Sequence, residues 1–366
     1  QRLGQESRQA RGHLARRLVE IPCTAVVAKP LPLVKDILLI GLGAGSLAKF
    51  IYRNLPASRI TVVEINPQVE FAARQFFKLP DDPQRASRPF SGTPMVRLVF
   101  SVELKYDVAP PGCDFIFNIH AAHTRQQRVV TEMMELGQFL LPQVHTDPST
   151  GNRYMRLRAE PGPLRLRYSA TVELNHHVAA PALVPEVPVA RLPADVLTYL
   201  YPSRYCQSDR LYDVAMREFG HLPQGYGRVH AICEWVGKHV EFKSATTNAS
   251  TSAVDTLTER VGVCRDFAHL MIALCRALSI PARFAAGIDF GADPALGPSD
   301  FHAYVEVFLG DRWYLFDPSA TAIPMGLMRF GVGRDAADVS FATIFGSVRA
   351  EPPVIAIKAV EDAFNA

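Results

Sequence analysis

The stretch GVCRDFAHL at residues 262–270 predicts the centre of the molecule. Its cysteine, Cys264, follows a glycine-containing turn and precedes an apolar segment with helical periodicity that extends to Leu278. A helix that begins at this cysteine would direct its free N–H groups and its dipole at the thiol, and both favour the thiolate. Because the thiolate is the reactive form of cysteine, the stretch predicts a nucleophile at the start of a central helix.

Two segments downstream of this helix have the alternating pattern of β-strands. The first, FHAYVEV at residues 301–307, carries His302 on the face that also bears a tyrosine and a glutamate, so we expect that face to be exposed. The second, RWYLFDP at residues 312–318, carries Asp317 at its end. A thiol, an imidazole that takes its proton and a carboxylate that orients the imidazole make a nucleophilic catalytic site. The residues therefore predict catalytic roles for Cys264, His302 and Asp317.

The composition argues against several classes of function. With 39 basic and 36 acidic residues, the chain has a formal charge of +3, which is too small to indicate nucleic acid or an anionic membrane as a partner. No segment approaches the roughly 20 apolar residues of a membrane helix, although a leader could precede Gln1. The six cysteines form no C-x-x-C pair, which argues against zinc ribbons and disulfide scaffolds and favours reduced thiols in the cytoplasm.

A glycine-rich turn near the N-terminus indicates a nucleotide-binding fold. An apolar strand pattern at residues 36–40 runs into GLGAG at 41–45, and a helical stretch and a second strand at 59–63 follow. Glycines let a backbone approach a ligand at a helix N-terminus, and an acidic residue about 20 positions later can hold ribose hydroxyls. Position 46 is serine, so the third glycine of the dinucleotide fingerprint is absent and the methyltransferase type is indicated. The candidate ligand-binding residues are Gly41, Gly43, Gly45 and Glu64.

The same region resembles the spermidine synthase (polyamine aminopropyltransferase) family. The matching residues, between about 37 and 83, are LLIGLGAGSLAKF, ITVVEINPQVEFAARQFF and LPDD. The resemblance implies a sulfonium-nucleoside site at Gly41, Gly43, Gly45 and Glu64. It does not extend to the family's later acidic motifs, and a doubly wound sheet needs about five or six parallel strands, whereas this segment supplies roughly two. We therefore expect a truncated Rossmann-type fragment with a vestigial site, no bound cofactor and no binding of S-adenosylmethionine.

The middle of the chain, residues 89–194, has the pattern of a β-sandwich. Short segments of alternating apolar residues are separated by turns rich in proline and glycine. These segments lie at residues 96–104, 114–119, 153–157 and 164–174. Residues 125–135 fit either a strand or a helix. His120 and His123 lack an acidic or cysteine partner at ligand spacing, and so does the pair at 176–177, so we predict no metal site.

From about residue 96 to residue 347, the chain resembles the transglutaminase-like (papain-like thiol hydrolase) superfamily. The sandwich region is matched by FIFNIHAAHT and LRLRYSATVEL, and the entrance to the core by YLYPSRYCQSD. The motifs that carry the chemistry are TLTERVGVCRDFAHL, DFHAYVEVFL and RWYLFDPSA. The resemblance implies a papain-like core in which Cys264 is the nucleophile, His302 the base and acid, and Asp317 the residue that orients the histidine.

Together, these patterns predict an α+β protein with four parts. They are a Rossmann-type fragment (1–88), a β-sandwich (89–194), a transglutaminase-like catalytic core (195–350) and a C-terminal tail (351–366). The predicted activity is acyl chemistry on an amide of a peptide or protein, through a thioester on Cys264. Hydrolysis is favoured over amine transfer, because the candidate cleft walls at 243–252 and 290–301 offer few aromatic side chains to hold an amine. A glutamine-directed amine transferase, a noncatalytic interaction module and a bifunctional polyamine-related protein are the alternatives.

Overall fold

In the computed structural model, the chain divides into two compact units, residues 1–91 and 92–366. The described residues are 36–40, 59–63, 95–175, 177, 179, 183–290, 299–322 and 326–360. In the first unit, strand β1 (Asp36–Ile40) pairs in parallel with β2 (Arg59–Val63). Both strands lie where the sequence predicts them, and parallel pairing is the arrangement of a nucleotide-binding fold. The predicted ligand residues Gly41, Gly43, Gly45 and Glu64 lie outside the described residues.

Antiparallel sheets in the second unit form the predicted sandwich. Its strands up to residue 175 are β3 (Met95–Val108), β4 (Cys113–Phe117), β5 (Gln127–Leu136), β6 (Gln143–Thr146), β7 (Arg153–Ala159) and β8 (Gly162–Asn175). One sheet contains β3, β8 and β5, and the other contains β4, β7 and β6, each in that order. Alternate residues point between the sheets and form a core rich in aromatic rings, such as the stacked Phe115 and Phe117. The ambiguous segment at 125–135 is therefore a strand, β5.

The core of the second unit packs helices against an antiparallel sheet. The helices are α1 (Tyr212–Phe219), α2 (Tyr226–His239), α3 (Ala253–Glu259) and α4 (Cys264–Ala277). A short parallel pair, β9 (Glu241–Phe242) and β10 (Val261–Gly262), precedes α4. The sheet has the order β13-β12-β11-β14, with β11 (Ala282–Asp289), β12 (Phe301–Leu309), β13 (Arg312–Phe316) and β14 (Leu327–Gly333). Of the helices described, none is long and apolar enough to cross a membrane.

Helix α4 begins at Cys264, as the sequence predicts, and is buried over most of its length. The carboxylate of Asp266 accepts the N–H of Val263 at 2.9 Å, which caps the first turn. A Cβ atom at Gly262 would lie 2.8 Å from the Cβ of Asp266, so this cap leaves room only for glycine. The apolar residues at alternate positions of β12 pack in the same hydrophobic cluster as α4. The cap and the packing together fix the position of the cysteine relative to the sheet.

The opposite face of the sheet is buried as well. Tyr304 and Glu306 are 0% and 1% exposed, and the side chain of His302 is 10% exposed. The expectation that this face of β12 is exposed is therefore wrong, because alternation along a strand does not report what covers its polar face. Glu306 accepts hydrogen bonds from Arg283 and Arg329, and we refer to these three residues as the Glu306 cluster. Its hydrogen bonds compensate charges that would otherwise be costly to bury.

The last strands of the chain complete the sandwich. Strand β15 (Ala342–Phe345) pairs with β4, and β16 (Val348–Ala350) and β17 (Val354–Ala359) both pair with β3. This corrects the predicted boundary at residue 350 and the predicted tail from 351, since residues 342–359 contribute strands to the sandwich. Ile355 of β17 is buried in the sandwich core. A six-residue strand that follows a pair of prolines gives only a weak sequence signal, and its partner strand lies about 250 residues earlier.

Candidate active site

The candidate site lies where the first residue of α4 meets the start of β12. Cys264 is partly exposed and lies at the N-terminus of the helix. Its thiol is a near neighbour of the imidazole of His302, the second residue of β12, and helps to raise the pKa of that imidazole. The structure therefore brings the predicted nucleophile close to the predicted base.

Asp317 follows the last residue of β13 and faces the same imidazole. Its Oδ2 lies 3.3 Å from Nε2 of His302 and also accepts the N–H of Ala322 at 3.1 Å. Its Oδ1 accepts the N–H and the hydroxyl of Ser319, at 3.0 and 2.6 Å. Both carboxylate oxygens are thus held, and the side chain is only 2% exposed. A carboxylate fixed in this way can orient an imidazole ring.

The surroundings of His302 favour its protonated form. Burial lowers the pKa of its imidazole, but the interactions with Asp317 and Cys264 outweigh burial and raise the pKa to about 10. The imidazolium is therefore the stable form at neutral pH. A positive charge beside a thiol at a helix N-terminus favours the thiolate, so the arrangement suits a thiolate–imidazolium pair.

Residues of α4 beyond the cysteine support the site. Arg265 donates to the capping carboxylate of Asp266 at 3.0 Å. His269 is fully buried, stacks on Tyr205 with ring centroids 4.9 Å apart, and accepts the N–H of Ala336 through Nε2. Burial, together with nearby arginine charges, holds the pKa of His269 well below its usual value. This histidine is therefore neutral and connects the nucleophile helix to its neighbours.

The other described thiols lie in different surroundings. Burial raises the pKa of Cys206 and of Cys233 to about 12, and it raises the pKa of Cys113 and Cys275 as well. These four thiols are protonated at neutral pH. Cys233 and Cys275 pack in the hydrophobic cluster around α4.

Sequence reasoning missed Asp289 and assigned no role to Tyr304. The ring of Tyr304 contacts the imidazole of His302 edge to face, with centroids 4.5 Å apart. Asp289 ends β11, is 6% exposed, and has a pKa that burial raises to about 6. The only sequence signal for Asp289 is a single polar residue at the end of an apolar strand, ARFAAGID.

The predicted cleft wall at 243–252 lies beside the nucleophile helix. Arg265 donates to the carbonyl of Asn248, and the hydroxyl of Tyr205 donates to the carbonyl of Ala249. The second predicted wall, 290–301, is described only at residues 290 and 299–301. Thus one wall of the proposed cleft is tied to the first turn of α4.

The histidines considered for metal binding have other surroundings. His120 is buried against the ring of Tyr168, with centroids 4.6 Å apart, and burial lowers its pKa to about 4. Within the part of the chain that the structure describes, no group of three or more histidine, cysteine or acidic residues could hold a metal ion.

Comparison with known families matches the two main regions of the second unit. Residues 215–318 match the core of the transglutaminase-like superfamily, and residues 96–195 match the bacterial transglutaminase N-terminal domain. The crystal structure of a candidate cysteine protease from Cytophaga hutchinsonii superimposes with a TM-score of 0.70 at 39% identity. That match covers 74% of this chain and 93% of the other.

Curated relatives match shorter segments. An uncharacterized protein of Mycobacterium leprae is 32% identical over 117 residues, which are 31% of this chain and 42% of the relative. The chain therefore spans less than half the length of that relative. A polyamine aminopropyltransferase of Chromobacterium violaceum is 54% identical over 48 residues, which are 13% of this chain and 18% of that enzyme. This second match concerns a short N-terminal segment only.

Proposed function

The chain belongs to the transglutaminase-like superfamily, and from this premise we propose that it is an enzyme that hydrolyses amide bonds through a thioester on Cys264. Membership supports thiol-dependent chemistry in general. The observation that carries the finer proposal is the closeness of the Cys264 thiol to His302, whose Nε2 lies 3.3 Å from a fixed carboxylate of Asp317. A nucleophile, a base and an orienting group in this order are what acyl transfer requires.

In the first half of the reaction, the thiolate sulfur of Cys264 bonds to the amide carbonyl carbon. The C–N bond then breaks, and the imidazolium of His302 gives its proton to the departing amine. Because Asp317 occupies Nε2, the proton passes through Nδ1, the ring nitrogen left for the thiol side. The products of this half are a free amine and a thioester.

In the second half, water attacks the thioester carbonyl carbon. His302 takes a proton from the water, the C–S bond breaks, and a carboxylic acid leaves while the thiolate is restored. Asp317 compensates the imidazolium charge each time it forms. The substrate class is an amide of a peptide or protein.

Water is the favoured second nucleophile. The described wall at 243–252 contains no aromatic side chain, and six of its ten residues are exposed, at positions 243, 244, 245, 248, 249 and 250. Only a positioned amine gains the large effective molarity needed to compete with water at ~55 M. An open polar wall supplies little such positioning, so hydrolysis should dominate over amine transfer.

Selective alkylation tests the nucleophile without a known substrate. At pH 6, iodoacetamide should label Cys264 at least about tenfold faster than Cys233, because the pKa of Cys233 is raised to about 12. Peptide mapping by mass spectrometry measures both rates in one sample. Cys233→Ser is the matched control and should leave labelling of Cys264 unchanged. Equal labelling of the two thiols would refute the catalytic proposal and favour the noncatalytic interaction module.

Product analysis separates hydrolysis from transfer. A glutamine peptide incubated with a millimolar primary amine should give mainly glutamate, which is about one dalton heavier than glutamine. All product should be lost in Cys264→Ala. A majority of amine adduct, also lost in Cys264→Ala, would instead establish amine transfer as the activity.

Free thiols support a reducing compartment as the place where the protein acts. The five described cysteines form no disulfide. On this ground we also propose a cytoplasmic location.

A further inference from the structure

Asp289 is a buried carboxylic acid beside His302, the proposed base, and it has no part in the proposed mechanism. In the β11–β12 pair, Gly287 is opposite His302, so Asp289 lies two residues further along on the same face of the sheet. Diagonal neighbours of this kind are within reach of each other's side chains. Asp289 is 6% exposed, and neither of its carboxylate oxygens has a well-formed hydrogen bond among the described residues.

Tyr304 connects Asp289 to the imidazole. The Tyr304 hydroxyl and the Asp289 carboxyl are close enough to affect each other's pKa, although neither carboxylate oxygen has a hydrogen-bond partner among the described residues. The ring of Tyr304 contacts His302 edge to face at 4.5 Å and 77°. Tyr304 is fully buried, so its ring cannot move without disturbing the core between β11 and β14. The imidazole is therefore held by Asp317 at one edge and by Tyr304 at its face.

Among the described residues, the imidazolium of His302 is the cation that acts on Asp289. The electrostatic neighbours of Asp289 are His302 and Tyr304 on β12 and Asp317 at the end of β13. Cys264 on α4 is a further neighbour of the same imidazole. On β14, the residue opposite Asp289 is Leu327, and the arginine two residues further along is engaged in the Glu306 cluster.

We propose that Asp289 is a positioning residue for His302, which it holds through Tyr304 and whose imidazolium form its negative charge stabilises. This inference rests on the proposed function, because it concerns the base of the same site. No covalent step is added: the carboxylate of Asp289 touches neither the substrate nor the thiol. Its negative charge stabilises the imidazolium, and with it the thiolate–imidazolium pair, before the substrate binds.

The proposal predicts a dependence on pH with a definite sign. Burial raises the pKa of Asp289 to about 6, so its carboxyl is neutral well below pH 6 and charged well above it. Its support of the imidazolium is therefore absent at pH 5 and present at pH 7.5. Removal of the charge should lower the pKa of His302, by about one unit, which is the low end of the effect of a neighbouring opposite charge.

The test compares pH profiles of the alkylation of Cys264 by iodoacetate in the wild-type protein and in Asp289→Asn, because the negative charge of this reagent makes its reaction with the thiolate depend on the adjacent imidazolium of His302. The two rates should agree within about twofold at pH 5, and the alkaline limb of the variant should lie about one pH unit lower. Between pH 8.5 and 10, this shift makes the variant slower by up to about tenfold, since one unit is a factor of ten. Asp311→Asn is the matched control, because Asp311 is an exposed carboxylate in the turn between β12 and β13, at the end of β12 away from His302, and its profile should match wild type.

A double-variant cycle tests the route through Tyr304. If Asp289 acts through this ring, Asp289→Asn and Tyr304→Phe should be non-additive, so that the double variant loses little more than the larger single loss. Additive losses, or a loss in Asp289→Asn that is equal at every pH, would overturn the positioning role.

A measurement on the unaltered Asp289 keeps the proposal testable if Asp289→Asn does not fold. In protein with isotope-labelled histidine, the His302 signal is assigned by its loss in His302→Gln. In Cys264→Ala, which removes ionisation of the thiol, this signal should still shift near pH 6 when Asp289 ionises. A signal that is flat between pH 5 and 7 would refute the inference. Failure of selective Cys264 labelling in the wild-type protein would instead refute the proposed function itself.

Discussion

Replacement of Asp317 by asparagine probes the site most directly. The carboxylate accepts four hydrogen bonds: from the N–H and hydroxyl of Ser319, from the N–H of Ala322 and from Nε2 of His302. Asparagine has one acceptor oxygen and one NH₂ group, which only donates. If the oxygen faces Ser319, the NH₂ group faces Ala322 and His302. If the side chain is flipped, the NH₂ group faces the backbone N–H of Ser319.

The cost of this change has two parts. In either orientation one buried backbone N–H loses its acceptor, which should lower the free energy of unfolding by about 1–3 kcal/mol. His302 also loses a full negative charge at 3.3 Å, and loss of an adjacent opposite charge lowers a pKa by about 1–3 units. The imidazolium then stabilises the thiolate less, and the wrong tautomer is favoured in one orientation, so the rate of alkylation of Cys264 at neutral pH should fall about tenfold or more.

Alkylation of Cys264 at pH 7 and urea denaturation measure the two parts separately. The matched control is Asp311→Asn on the same β12–β13 hairpin, because Asp311 is exposed and bonds only to the neighbouring Arg312 among the described residues. It should change neither quantity. An Asp317→Asn protein that alkylates within about threefold of wild type would refute the assignment of Asp317 as the orienting group.

Three further outcomes are expected. The folded state raises the pKa of His302 to about 10, so protonation of His302 stabilises the fold fully below its ordinary pKa near 6.5, and this stabilisation is lost as the pH rises toward 10. Urea denaturation should show the free energy of unfolding falling by up to about 1.4 kcal/mol per pH unit over this window. His302→Gln should lack this slope. Glu306→Gln leaves the two arginines of the Glu306 cluster without a counter-charge and should lower the free energy of unfolding by about 3–5 kcal/mol. Glu103→Gln, in a more exposed ion pair, should lower it clearly less. Equal losses of stability would contradict the role of the Glu306 cluster. Ile355→Ala should destabilise the sandwich by about 2 kcal/mol or more, whereas Lys358→Ala on the exposed side of β17 should not. An Ile355→Ala protein with unchanged stability would mean that β17 contributes little to the stability of the sandwich.

The parts of the fold that the sequence predicts well are those with strong local signals. Helix α4 has a glycine turn, an acidic residue in its first turn, helical spacing and a proline stop within 20 residues, and its first residue is the one predicted. The sandwich strands β3 and β8 alternate over 14 residues each, so their existence is clear, although both extend beyond the predicted ends. Pairing between β1 and β2 follows from the strand–turn–helix–strand order in the same way.

Contacts between distant parts of the chain are harder to predict. Strand β17 is six residues long, and what makes it a strand is the row of free hydrogen-bonding groups on β3, from Leu98 to Glu103. The burial of the polar face of β12 likewise depends on contacts with distant parts of the chain. Strand alternation separates two kinds of side chain, but only the fold determines which of them meet water.

Asp289 illustrates the same principle at the level of chemistry. Along the chain it is 13 residues from His302 and 28 from Asp317. The β11–β12 register places it diagonal to the imidazole, and burial then gives its carboxyl a pKa near the middle of the range in which the site must work. A sequence motif can identify residues that act on the substrate, because only a few residue types have the required chemistry. The role of a residue that acts through another side chain depends on strand register and burial, so such a residue can be identified only from the assembled sheet.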